Sequence, residues 1–328
     1  MKVLYINRPN SDYLQDIIYT GLVKLIGAQN IIEYPWNIRF HLNHRPYPKN
    51  LGQVKGEFFN SLKAKLSPHD YDIVIVASCH PDTIQYYSQI IKEIPPHVKT
   101  IFIDGGDMPE IAGDLSITKG NGKELYNELI SYREFDYIFK REYLLDAQYD
   151  KNVYSLPFGF NLDHLPNNLN QKYKYDVAFW AVESDPIRTK VLELLEDKYD
   201  CKENGTTRNQ VMKKYKRKGK FYLEELSACK IGLNFRGGGW DTLRFWEIPA
   251  LGGFMISQKL NIQIDHNFTD GKNIIYCEDD LSNLTELCDY YLTHEEKRIN
   301  IAHNAKKHIE EFHTDMHRAK KILDTITV

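Results

Sequence analysis

The chain has 328 residues, long for one hydrophobic core, which points to about two domains. Its 42% hydrophobic and 27% charged residues are the composition of a globular protein and exclude a disordered one. Forty-two basic residues against 45 acidic ones leave a net charge of -3, so no global field exists for nucleic acid or an anionic membrane. Any bound anion must be met by a local cluster.

Met1–Asn7 (MKVLYIN) reads as a first strand, because its apolar run is too short for a signal peptide and no small-residue cleavage site follows. From Asp12 to Leu25 the apolar positions Leu14, Ile17, Ile18, Leu22 and Leu25 share a helical face, completing a βα unit. NIIEYP is the next strand, followed by a polar, aromatic loop around Trp36–Pro48. IVIVAS (Ile73–Ser78), TIFID (Thr100–Asp104), DYIFK (Asp136–Lys140) and NVYSLP (Asn152–Pro157) continue the series, with helical segments between most of them. Such repeated βαβ order predicts a parallel sheet covered by helices on both faces.

The pattern pauses around Pro157-Phe158-Gly159 and the polar stretch Asn167–Lys174. It restarts with YDVAFW (Tyr175–Trp180), IGLNF (Ile231–Phe235), FMIS (Phe254–Ser257) and NIIY (Asn273–Tyr276). Two Rossmann-like α/β domains in tandem are expected, residues 1–160 and 161–328. Beyond Leu281 the chain reads as charged helix, with Tyr290, Leu292, Ile299, Ile301, Ile309 and Phe312 as apolar positions. No apolar stretch approaches bilayer length, so a cytoplasmic protein is expected. The five cysteines, at 79, 201, 229, 277 and 288, have no C-x-x-C spacing and are expected as core thiols.

In open α/β sheets ligands bind where the carboxyl ends of strands open onto a crevice. After IGLNF comes Arg236-Gly237-Gly238-Gly239-Trp240-Asp241-Thr242, then the helical RFWEIPALGG. Glycines allow close backbone approach, a helix N-terminus offers free N–H groups and Arg236 adds charge, which suits a diphosphate. The same residues also fit a plain glycine-rich loop capped by Asp241 or Thr242. Arg188, behind Pro186 in the helix after YDVAFW, belongs to the same edge, either solvated or facing the anion. Arg244 and Glu247, three residues apart in an apolar helix, fit either a local ion pair or ligand contacts.

Sharper motifs are missing. Gly122-Lys123 is followed by Glu124 rather than the Ser or Thr of a P-loop, and no G-x-G-x-x-G follows a strand. Asp70-Tyr71-Asp72 precedes its strand and reads as a turn leading into it. His313 and His317 lack an accompanying H-E-x-x-H, so no metal site is expected and the His-rich tail is placed at the surface. In the first domain, Cys79-His80-Pro81-Asp82 and Gly105-Gly106-Asp107 follow strands. His80 and Asp107 are the candidate bases for activating a hydroxyl, though these residue types equally make ordinary turns, with Asp82 as a helix cap and Asp104 orienting the Gly-Gly turn.

RFWEIPALGGFMIS and the segment GKNIIYCEDDLSNLTELCDYYLTHEEKRINIAHNAKKHIEEFHT resemble the C-terminal half of two-domain GT-B glycosyltransferases, in particular the group-1 and spore-maturation CgeB-like branch. The likeness extends more weakly to YDVAFW, Arg188 and LPFGFN. It implies a donor domain at the C-terminus, with the last helices packing back on the first domain. It also implies that Glu247, opening E-x-x-A-x-G, accepts hydrogen bonds from the donor's ribose while Arg244 faces its phosphates. Group-1 enzymes often carry an acidic residue eight positions earlier, where this chain has Gly239, and Asp241 is the nearby alternative.

The expected function is transfer of a sugar from a nucleotide-sugar donor to a glycan, protein or small-molecule acceptor in the inter-domain cleft, without metal or other cofactor. Donor contacts are expected from Arg188, Arg236, Gly237, Gly238, Gly239, Thr242, Arg244 and Glu247. Net charge argues mildly against a nucleic-acid acceptor. A nucleotide-sugar epimerase or hydrolase of the same architecture, and a non-catalytic nucleotide-sugar-binding protein, use the same donor residues.

Overall fold

Every strand read from the sequence forms. In the computed structural model, which describes residues 1–10, 12–41, 68–167, 169, 172–209 and 219–327, they assemble into two parallel sheets. Parts of the loop expected around Trp36–Pro48 and of the polar stretch Asn167–Lys174 lie outside the described residues. The first sheet has β1 (Val3–Ile6), β2 (Ile31–Tyr34), β3 (Ile73–Val76), β4 (Lys99–Asp104), β5 (Tyr137–Lys140) and β6 (Val153–Ser155), in the order β2-β1-β3-β4-β5-β6. The second has β7 (Tyr175–Ala178), β8 (Cys229–Asn234), β9 (Phe254–Ser257) and β10 (Ile275–Tyr276), in the order β10-β9-β8-β7.

Strand periodicity explains how each sheet is covered. Successive side chains of β1 point to opposite faces, so Val3 and Tyr5 join one core and Leu4 and Ile6 another. The first face packs against helix α1 (Tyr13–Ile26), whose Leu14, Ile17, Ile18 and Leu22 are buried. The second packs against α2 (Pro81–Ser88) and α3 (Gly122–Tyr132) through Ile84, Tyr87, Tyr126 and Leu129. Being covered on both sides, β1 and β3 are apolar throughout, as buried parallel strands require.

Helices α4 (Pro186–Leu195), α5 (Gly219–Ser227), α6 (Leu243–Ala250), α7 (Leu284–Thr293), α8 (Glu295–Phe312) and α9 (Asp315–Thr327) belong to the later half. Val177, Ile231, Leu233 and Ile256 form a core with residues of α4, α7 and α8. The opposite face, with Phe245, Trp246 and Ile248 of α6, is continuous with the α1 core of the first sheet. All five cysteines are free and buried.

The last helix returns to the first sheet. Along α1, Gly21 lies against the Asp315 backbone and Ala319, with no room for a Cβ, and Lys24 bonds Asp315 at 2.8 Å. Arg318 clamps the crossover, its guanidinium donating to the carbonyls of Pro157 and Phe158 at 2.8–2.9 Å. From the other side Phe158 N–H donates to Asp241 at 2.6 Å.

The expectation of a surface His-rich tail is corrected here. His313 is fully buried between Arg318 and the His266 carbonyl, and burial lowers its imidazole to about 2, so it is a neutral hydrogen-bonding group.

Candidate functional site

In the first sheet β1 lies between β2 and β3, so the chain leaves β1 in opposite directions and opens a crevice at the carboxyl ends of β1 and β3. Ser78 Oγ, after β3, donates to Asp12 at 2.5 Å, after β1. Asp12 also caps α1 by accepting from Gln15 N–H, and burial raises its carboxyl above the usual range. His80, not Asp82, caps α2: its Nδ1 accepts from Asp82 N–H at 3.3 Å. Imidazole can play this part because the Pro81 ring fixes the first helical turn beside it. Burial first, and then Arg8, lower His80, leaving it neutral with an Nε2 that has no partner among the described residues. After β4, Asp104 accepts from Gly106 N–H at 3.3 Å, and its other oxygen takes Ala112 N–H and Lys140.

At the facing edge of the second sheet, Arg188 and Arg236 are neighbours. Arg188 is buried and spends its fork on carbonyls: Phe235 and Arg236 on one side and Val182 on the other. It therefore shapes the loop that carries Arg236. Arg236 is half-buried, lies over the Trp240 ring at 4.3 Å and pairs through its Nε with the Asp185 carboxylate at 3.3 Å. Thr242 heads α6 without a side-chain cap bond, its hydroxyl donating instead to Asn234 at 2.5 Å.

The glycines of this loop are explained by protein neighbours. A Cβ at Gly237 would lie 2.7 Å from Arg188 Nη2, one at Gly238 would collide with the Asp107 carboxylate, and one at Gly239 with the Glu142 carboxylate. Asp107 is half exposed and paired with Arg141. Arg141 and Glu142, directly after β5, grip the next residues: Arg141 donates to Asp241 O at 3.2 Å, while Glu142 accepts from Trp240 N–H at 2.8 Å and Asp241 N–H at 3.0 Å. The close approach foreseen for a ligand is thus made at Gly238 and Gly239 by carboxylates that follow strands of the first sheet. The N–H groups of Gly238 and Gly239 keep no partner among the described residues.

Within α6, Arg244 and Glu247 form no ion pair, so the local-pair reading is set aside. Arg244 points to the end of β7, donating to Trp180 O at 2.9 Å and lying over the Phe179 ring, with its buried Nε unbonded. Glu247 points the other way, accepts from Tyr222 OH at 3.3 Å and lines a water-sized cavity of about 20 Å³ with Tyr13, Phe160 and Asn161. Pro249 cannot donate to Phe245 O, and the helix ends one residue later, turning through Gly252 at φ 76°. Asp72, of the D-x-D sequence, sits at the amino edge of the first sheet, where it accepts from Lys2 N–H, far along the strand from this crevice.

Residues 188–324 match a family model described as glycosyl transferase-like. Solved structures align over nearly the whole chain. They include an alpha-glucosyltransferase in complex with UDP and a 13-mer DNA containing a central A:G mismatch (TM-score 0.62, 13% identity, 99% of both chains). Anabaena HepE in complex with UDP-glucose aligns at TM-score 0.59 and 10% identity, covering 100% of this chain and 99% of that one. Sucrose-phosphate synthase from Thermosynechococcus elongatus aligns at 0.61 and 10%, covering 99% and 98%. The chain has the GT-B fold. No curated protein matches the sequence.

In this GT-B chain the sequence reading missed Arg141, Glu142, Asp12 and Tyr222 at the crevice. A signal was present for the first two, since Lys140-Arg141-Glu142 places three charges at the carboxyl end of a buried strand. Asp241 has a role no motif announced. Its two oxygens accept from Phe158 N–H and from Trp246 Nε1 at 2.7 Å, and burial pushes its carboxyl up to about 7 against the pull of Arg141.

This yields a pH prediction. A folded-state value raised above the unfolded one, about 3.9, contributes stability that is present below pH 4 and lost as pH rises through 7. The wild-type stability relative to Asp241→Asn should therefore fall between pH 4 and 7 by up to about 1.4 kcal/mol per pH unit. Urea denaturation of both proteins across that range measures it. Parallel curves would mean that Asp241 titrates as it does in the unfolded chain.

Proposed function

We propose that this chain is a metal-independent, nucleotide-sugar-dependent glycosyltransferase of the CgeB-like branch. Residues 161–328 hold the donor and residues 1–160 present the acceptor. The observation that carries this reading is the buried, unbonded guanidinium Nε of Arg244, with Arg236 beside the same glycine loop, at the carboxyl edge of the second sheet of a GT-B fold. A buried N–H group without a partner calls for one, and a diphosphate supplies the acceptor oxygens that a guanidinium fork suits. The free amides of Gly238 and Gly239 add two neutral donors beside them. The UDP and UDP-glucose complexes of the structural relatives support the donor class.

In the reaction, an acceptor hydroxyl oxygen bonds to the anomeric carbon while the bond from that carbon to the diphosphate breaks, its electron pair leaving on the diphosphate. Arg236 and Arg244 offset the charge that develops there. The hydroxyl proton passes to a base, and His80 suits this better than Asp107: it is neutral with a free Nε2, whereas Asp107 is held by Arg141 against Gly238. Glu247 takes the ribose hydroxyls, and Arg188 and Thr242 support the loop.

The test is a thermal-shift and turnover series with UDP and UDP-glucose. UDP should raise the melting temperature, donor turnover should survive a chelator, and His80→Ala should lose turnover while keeping UDP affinity. Complete loss in chelator restored by manganese would remove the metal-independent mechanism. Full turnover by His80→Ala would remove that base, and no stabilisation by any nucleotide diphosphate would remove the donor reading.

A further inference from the structure

Glu142 belongs to the first domain, yet its carboxylate is spent on the second. Its side chain is only 1% exposed, and its two oxygens take the backbone N–H groups of Trp240 and Asp241, at the turn between the glycine loop and α6. Arg141 completes the grip by donating to Asp241 O. Both peptide groups of this turn are therefore oriented by residues from across the crevice. The consequence reaches Arg236, because its guanidinium rests on the Trp240 ring at 4.3 Å and pairs with Asp185 at 3.3 Å. Fixing the Trp240 backbone fixes the plane on which Arg236 lies. Gly239 has no side chain because the Glu142 carboxylate fills that volume, so the loop adopts this path only with the first domain in place.

We propose that Glu142 is a positioning residue for the donor loop, holding Trp240 and Asp241 so that Arg236 faces the diphosphate. This rests on the donor reading given above. Glu142 touches no reacting atom; it links closure of the two domains to assembly of the anion site. Buried and already paired with two N–H groups and Arg141, it has no reason to contact phosphate, which would repel it. The physical basis is that a site is selective only when its first contacts are held by a second set of fixed bonds.

The test is a double-mutant cycle read by calorimetric UDP binding to the full chain. Glu142→Gln keeps the shape but can accept at only one of its two polar ends, leaving one N–H facing an amide NH2. We expect Glu142→Gln and Arg236→Ala each to weaken UDP about tenfold, and the double variant to be no weaker than the worse single within about twofold, because both act along one line of contacts. Glu142→Asp, which keeps the carboxylate, should recover part of the loss, and it carries the same cycle should Glu142→Gln fail to fold. Losses that multiply in the double variant would overturn the proposal, leaving Glu142 a packing residue. Tighter UDP binding by Glu142→Gln would overturn it too, since Glu142 would then be competing with phosphate for the amides. If Arg236→Ala weakens UDP and Glu142→Gln does not, the positioning role alone falls. If the wild type binds no UDP, both readings fall together.

Discussion

Arg318→Ala is expected to lower the free energy of unfolding by about 3–5 kcal/mol, the largest effect of any single substitution considered. Its guanidinium is fully buried, and burial lowers it only to about 10, so it stays charged at neutral pH. It donates to Pro157 O, Phe158 O, Phe312 O and His313 Nδ1, and it lies 5.0 Å over the Trp246 ring. Truncation strands these acceptors in a site closed to water, and it removes the cation that faces the buried Asp241. Arg318→Lys should fall between, keeping the charge without the planar fork. Urea unfolding monitored by tryptophan fluorescence measures the loss. A change under about 1 kcal/mol would show that the crossover at Pro157–Phe160 is held by its backbone bonds to His313 and Asp315 alone.

Glu247→Ala should weaken UDP by about 1–3 kcal/mol, or about five- to 150-fold in Kd, with little change in melting temperature. The expectation rests on geometry. Since Glu247 is not tied to Arg244, its removal strands no partner charge, and it gives up the hydrogen bond from Tyr222 OH. A carboxylate with an oxygen turned to a cavity is an acceptor-only group suited to two hydroxyls. That cavity is the size of one water, so ribose binding at Glu247 would require α1 and residues 159–161 to move away from α6. Calorimetry with UDP decides the matter: an unchanged Kd with a lowered melting temperature would make Glu247 a structural partner of Tyr222.

The two relatives in complex with UDP-glucose or with UDP and DNA share only the fold with this chain, at 10% and 13% identity. A net charge of -3 disfavours a nucleic-acid acceptor, because phosphate-backbone binding is dominated by released counterions and needs clustered cations.

The sequence by itself determined the strands, their parallel order and the position of α1. These follow from local physics: short apolar runs such as IVIV, alternating with helical segments, read as buried parallel strands, and the spacing of Leu14, Ile17, Ile18 and Leu22 sets the buried face of α1. It also located the edge where Arg188, Arg236 and the glycines meet, because strand ends and the loops after them are adjacent in the chain. What the tertiary structure decided is everything that depends on contacts between distant segments. Glu142 and the amides it holds are 98 and 99 residues apart, and no spacing rule joins them. For the same reason the glycines looked open to a ligand when they are filled by Asp107 and Glu142, and His313 looked exposed when Arg318 buries it. Arg244 and Glu247 share a helix, yet packing turned one to β7 and the other to α1, because two buried charges settle where each finds its own hydrogen-bond partners.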